Sequence, residues 1–76
     1  MQRVSVTITP DRRYYINDQR VTHDLLEIEL ARALQGKEGV VVLHIDKSVP
    51  VEYLVDVASI ATSLKAKVSI ATKPTK

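Results

Sequence analysis

The run Val40-Val41-Val42-Leu43-His44-Ile45 constrains the fold more than any other part of the chain. Val41, Leu43 and Ile45 would share one face of a strand, and Val40, Val42 and His44 the other. A strand this apolar on both sides lies centrally in a sheet or has its second face covered. Helical spacing appears on either side of it. Upstream, Leu26, Leu30, Ala33 and Leu34 recur at the 3.6-residue period between His23 and Gln35. Downstream, Leu54, Val57, Ala58, Ala61 and Leu64 do the same between Val51 and Leu64. A strand between two helices calls for crossover connections, which run right-handed and lay their helices against the sheet.

The flanks complete the sheet. Residues 3–9 alternate, with Val4, Val6 and Ile8 on one side and Ser5, Thr7 and Thr9 on the other, as a half-buried strand does. Thr9-Pro10-Asp11-Arg12 breaks it with Pro preset for a turn. Tyr14-Tyr15-Ile16 resumes extended structure. Asn17-Asp18 is a two-residue turn, because both residues tolerate the left-handed region. Gln19 to Val21 is the return strand.

Thr22 is the expected N-cap of the first helix and Gly36 its C-cap. Pro50 suits the first turn of the second helix, where a missing N–H costs nothing. Glu52 and Asp56 load the front of that helix, and Lys65 and Lys67 its end. Val68 to Ala71 is the last strand, and residues 73–76 read as a loose polar tail.

The expected fold is therefore α+β: a single four- or five-stranded sheet, order β-β-(β)-α-β-α-β, with two helices on one face. Two helices cover only one face of such a sheet, so the other is open to solvent or a partner. With 76 residues the chain is one domain.

Composition narrows the function. There is no cysteine, which excludes disulfide scaffolds and thiolate metal sites. A net charge of +2, with the charges interspersed, is too weak a field to argue for DNA or an anionic membrane. The longest apolar run falls far short of the ~20 residues a membrane span needs. Gly36 and Gly39 are the two glycines, and neither belongs to a phosphate-binding loop. His44 and Asp46 share a strand face, but a metal site needs a further ligand and none lies at a recognisable spacing. His23 reads as a solvated residue of the first helical turn. The expectation is a protein without a catalytic set, cofactor or metal.

The segment Val41-Val42-Leu43-His44-Ile45-Asp46-Lys47-Ser48-Val49-Pro50 resembles the strand–Asp-Lys–x–Val–Pro segment of the periplasmic domain of the ExbD/TolR family. The opening strand Val4 to Thr9, the following Tyr14-Tyr15-Ile16-Asn17, the leucines of the first helix and the closing Val68 to Pro74 extend the resemblance over nearly the whole chain. Two details differ: Val51 stands where family members often carry Tyr, and no Gly closes the second helix.

The resemblance implies the soluble periplasmic domain, residues 1–76, of a single-pass inner-membrane subunit whose transmembrane helix and proton-linked Asp are not in this chain. It implies a motor driven by the proton-motive force, an ExbB/TolQ-like membrane subunit as partner, a TonB/TolA-like transducer, a homodimer and, in the TolR branch, contact with peptidoglycan. Asp46 and Lys47 are the candidate partner-binding turn. Val68, Ser69, Ile70, Ala71 and Thr72 are the candidate partner-binding strand, expected at a sheet edge with unpaired N–H and C=O groups. The competing class is a free-standing nucleic-acid or protein binding module that uses the open sheet face. With three Tyr and no Phe or Trp, base stacking is poorly supplied, so no nucleic-acid partner is expected.

Overall fold

The computed structural model describes residues 2–36 and 38–73. Seven elements follow one another: β1 (Gln2–Ile8), β2 (Tyr14–Ile16), β3 (Gln19–Val21), α1 (His23–Leu34), β4 (Gly39–Asp46), α2 (Val51–Ser63) and β5 (Lys67–Lys73). They form one five-stranded mixed sheet in the order β3-β2-β1-β4-β5. β1 pairs with β2 and β2 with β3 antiparallel, while β1, β4 and β5 run parallel.

The helices lie on one face, as the two amphipathic patterns require. Val4, Val6 and Ile8 of β1 and Val41, Leu43 and Ile45 of β4 are buried against Leu26, Leu30 and Leu34 of α1 and Val57 and Ala61 of α2 in one continuous core. The other β4 row, Val40, Val42 and His44, is half-buried on the open face. The doubly apolar strand thus sits between β1 and β5 with one face sealed and the other bare.

Local chemistry explains the connections. Pro10 and Asp11 form a turn closed by the Arg12 N–H on the Thr9 carbonyl at 2.9 Å. Asn17 and Asp18 both take positive φ, 49° and 70°, and make the β2–β3 hairpin turn. Gly39 stands where a Cβ would meet the Gln2 carbonyl oxygen and Leu34 Cδ2, each at 2.8 Å, so this position admits the end of α1 only without a side chain.

Several boundaries differ from the sequence reading. Thr22 occupies the N-cap in extended conformation, but its side chain makes no cap bond. The C-cap of α1 is Gln35, left-handed at φ 56°, with Gly36 following at φ 67°. Two successive positive-φ residues are needed to turn the chain back to β4, and Gly36 is the second. Pro50 precedes α2 as its N-cap rather than entering the first turn. Lys65 and Lys67 do not load the last turn of α2: Lys65 lies beyond it at φ 63° and Lys67 opens β5. β5 runs to Lys73, which the sequence reading placed in the tail, and residues 74–76 lie outside the described residues.

Leu30 is 0% exposed at the middle of α1 and packs within the core. Leu30→Ala should cost about 2–5 kcal/mol, a large part of what a domain this small has. Urea denaturation measures it; an unchanged midpoint would remove Leu30 from the core.

Candidate functional site

β5 closes one side of the sheet. It pairs with β4 along its whole length, Val40↔Lys67 through Asp46↔Lys73, and with no other strand among the described residues. The register sorts its residues. Val68 and Ile70 stand beside Val41 and Leu43 on the helix side, and Ser69 and Ala71 beside Val42 and His44 on the open side. Val68 is half-buried against the core, whereas Ile70 is 52% exposed.

Ile70 is exposed because α2 does not reach over it. Together with Leu54, Val55, Ala58, Ser59, Thr62 and Ser63 it lines an open groove of about 630 Å3 between α2 and the edge. Val55, 60% exposed, forms its outer lip. Seven residues of edge strand with an apolar groove alongside form a template for another strand. The opposite edge, β3, has three residues, a length that blunts pairing. β1 pairs with β4 over its whole length and with β2 at Val6–Ile8, which leaves a short stretch, Gln2–Ser5, without a strand partner on the β2 side.

The Asp-Lys turn closes the same corner. Asp46 is the last residue of β4 and stands in register with Lys73, so the structure brings the turn beside the end of β5. The Asp46 carboxylate accepts the Ser48 N–H at 2.8 Å, and the Asp46 carbonyl accepts the Val49 N–H at 3.0 Å. The hydrogen bonds from Ser48 hold the Asp46 carboxyl below the usual aspartate range, with Lys47 adding to the effect. Lys47 itself is exposed. His44 and Asp46 share the open face as expected.

Sequence reasoning missed a second cluster. His23, read as a solvated residue, places Nε2 2.5 Å from the Asp56 carboxylate and so ties the start of α1 to α2. Tyr14 lies with its ring centroid 5.6 Å from that of His23 and 6.4 Å from that of Tyr53, and the Arg12 guanidinium stands 5.7 Å from the Tyr53 ring centroid. With Glu52 these residues line a shallow surface pocket of about 570 Å3. Burial, then the Asp56 carboxylate and Tyr53, push the Tyr14 phenol above its ordinary pKa. The members come from three separate stretches of chain, 12–14, 23 and 52–56, and no local spacing signals the cluster.

The described residues bury no polar or charged side chain and contain no group of three or more His, Cys, Asp or Glu able to hold a metal. What the geometry offers is an exposed strand edge with a groove beside it. A family model for the biopolymer transport protein ExbD/TolR matches residues 1–75. The chain belongs to the ExbD/TolR family. No curated protein matches it. Membership makes it an energy-transduction subunit of biopolymer transport, and the family is one of transport rather than catalysis. ExbD/TolR proteins are membrane-anchored; among the described residues here no helix is long and apolar enough to cross a membrane.

Because the folded-state pKa of Asp46 is depressed, the order it confers on the turn is present above the unfolded aspartate pKa. It is lost as pH falls through the folded value. Proton-coupled NMR titration should therefore find Asp46 below the ordinary range. Asp46→Asn should speed amide exchange at Ser48 with the sheet intact. A normal Asp46 titration and unchanged Ser48 exchange would contradict the turn's construction.

Proposed function

We propose that the chain is the periplasmic, energy-transmitting domain of an ExbD/TolR-like subunit in an inner-membrane motor driven by the proton-motive force. An ExbB/TolQ-like membrane subunit powers it, and the domain passes the motion to a TonB/TolA-like transducer. The observation that carries the reading is the free, seven-residue β5 edge with the α2 groove beside it, in a chain of this family. Strand addition gives affinity through main-chain hydrogen bonds and specificity through alternate side chains. The partner-binding residues are Val68, Ser69, Ile70, Ala71 and Thr72, with Asp46 and Lys47 at the adjoining corner. A second copy of the chain competes for the same edge and forms the homodimer. Contact with peptidoglycan belongs to this reading if the chain serves the TolR branch.

The edge has a definite polarity. In a strand, the N–H and C=O of successive residues point to opposite sides. With the right-handed crossover that governs such units, the groups pointing away from β4 are those of residues whose side chains face the helices, Val68 and Ile70. Those of Ser69 and Ala71 point inward to β4.

Ile70→Pro removes an outward donor and should weaken binding of a transducer's periplasmic segment on the order of tenfold, with the melting temperature nearly unchanged. Ala71→Pro removes an inward donor and should destabilise the sheet instead. Calorimetric titration and thermal melts read both. A folded Ile70→Pro domain that binds like its parent would exclude this edge as the coupling surface.

A further inference from the structure

The charges along β5 choose between its two competing occupants. β5 runs from position 67 to position 73, with lysine at both ends. A second copy adding antiparallel about a two-fold axis keeps each face on its own side, so only residues of the same face can oppose one another. The register that pairs all seven residues is centred on Ile70. It sets Lys67 of each copy opposite Lys73 of the other, twice over, and like charges directly opposed destabilise a strand pair. Slipping by two residues, to a centre on Ala71, relieves the clash but leaves five residues paired.

The sheet does not neutralise Lys67 from within. Its row across the parallel strands is Arg3, Val40, Lys67, with no carboxylate. Lys67 is exposed, and Lys65 lies just before it. At the far end Asp46 is the register partner of position 73. Between the two ends, the helix side of the edge is apolar: Ile70 with Leu54, Val55 and Ala58.

On the reading of β5 as the transducer's edge, we propose that the strand it takes is amphipathic and acidic at its ends. Over seven residues it carries a carboxylate at the first and seventh positions and medium-sized apolar side chains at the second, fourth and sixth. Small polar residues stand at the third and fifth. The apolar residues enter the α2–β5 groove, and the carboxylates meet the lysine positions 67 and 73, the one facing Lys67 contributing more. The pattern is the same read in either direction, so it holds for parallel or antiparallel addition. The same lysines weaken the homodimer in its full seven-residue register.

Three synthetic peptides test this against the isotope-labelled domain. The first has Glu at both ends, Val at positions two, four and six, and Ser or Thr between. The second replaces both Glu with Lys, and the third carries Val at positions three and five with Ser or Thr at two, four and six. The first should shift amides of residues 67–73 and bind up to about tenfold tighter than the second at low salt. The Lys67→Glu, Lys73→Glu domain should invert that preference, and the third peptide should bind poorly to either domain. Sedimentation should show Lys67→Glu alone dimerising more tightly than the parent, since it places opposite charges across the two-fold axis. If all three peptides shift the β5 amides equally, the charge and pattern rule is wrong while the edge reading stands. If none shifts them, both fall. A parent dimer as tight as that of Lys67→Glu would also overturn the rule.

Discussion

The parallel ladder between β1 and β4 is the interaction on which the rest depends. Seven consecutive residues pair, Gln2↔Gly39 to Ile8↔Ile45. On the helix side this sets Val4 beside Val41, Val6 beside Leu43 and Ile8 beside Ile45. Those six side chains make the floor on which Leu26, Leu30 and Leu34 of α1 close. A one-residue slip would turn every one of them to the bare face, so hydrophobic pattern and register fix each other. With β1 and β4 locked at the centre, β2 and β3 extend the sheet on one side, and the final strand adds on the free side of β4. β5 is an edge because the centre is already taken.

α2 is the looser of the two helices, and that bears on function. It buries Val57 and Ala61 fully, against three leucines for α1. Val51 and Val55 remain exposed, and the His23–Asp56 contact ties its front end to α1. A helix seated on small side chains leaves the neighbouring edge strand partly uncovered, which is how Ile70 comes to face solvent on the core side of the sheet. In a family whose work is transmitting energy, an uncovered, regular, seven-residue edge is a surface that can carry load through a row of main-chain hydrogen bonds.

Period carried most of the fold in the sequence. The alternation at Val4-Val6-Ile8 and the helical spacing at Leu26-Leu30-Leu34 are strong because each buries a full row, and Asn17-Asp18 declared its turn through two residues that accept positive φ. The ends of elements were less legible. Thr22 has the right chemistry for a side-chain cap yet makes none, and the left-handed residue ending α1 is Gln35, because the backbone return to Gly39 decides the conformation there. Lys65 and Lys67 fit a helix end by charge, but the strand partner Val40 claims Lys67. The strand edge and the Asp46-Lys47 corner were visible as separate segments, and the register of β4 with β5 joins them. The His23–Asp56 cluster lay outside local reading, since its two halves are 33 residues apart.

The central claim is that energy leaves this domain through the β5 edge. Chemical-shift mapping of the labelled domain with the complete periplasmic portion of a TonB/TolA-like transducer tests it most directly. The account predicts the largest changes in residues 67–73 and in the groove-lining residues of α2 between Leu54 and Ser63, with β3 and the open face of β1 unmoved. Changes centred on Gln19–Val21, or on the open-face residues Ser5, Thr7 and Tyr15, with β5 silent, would contradict it.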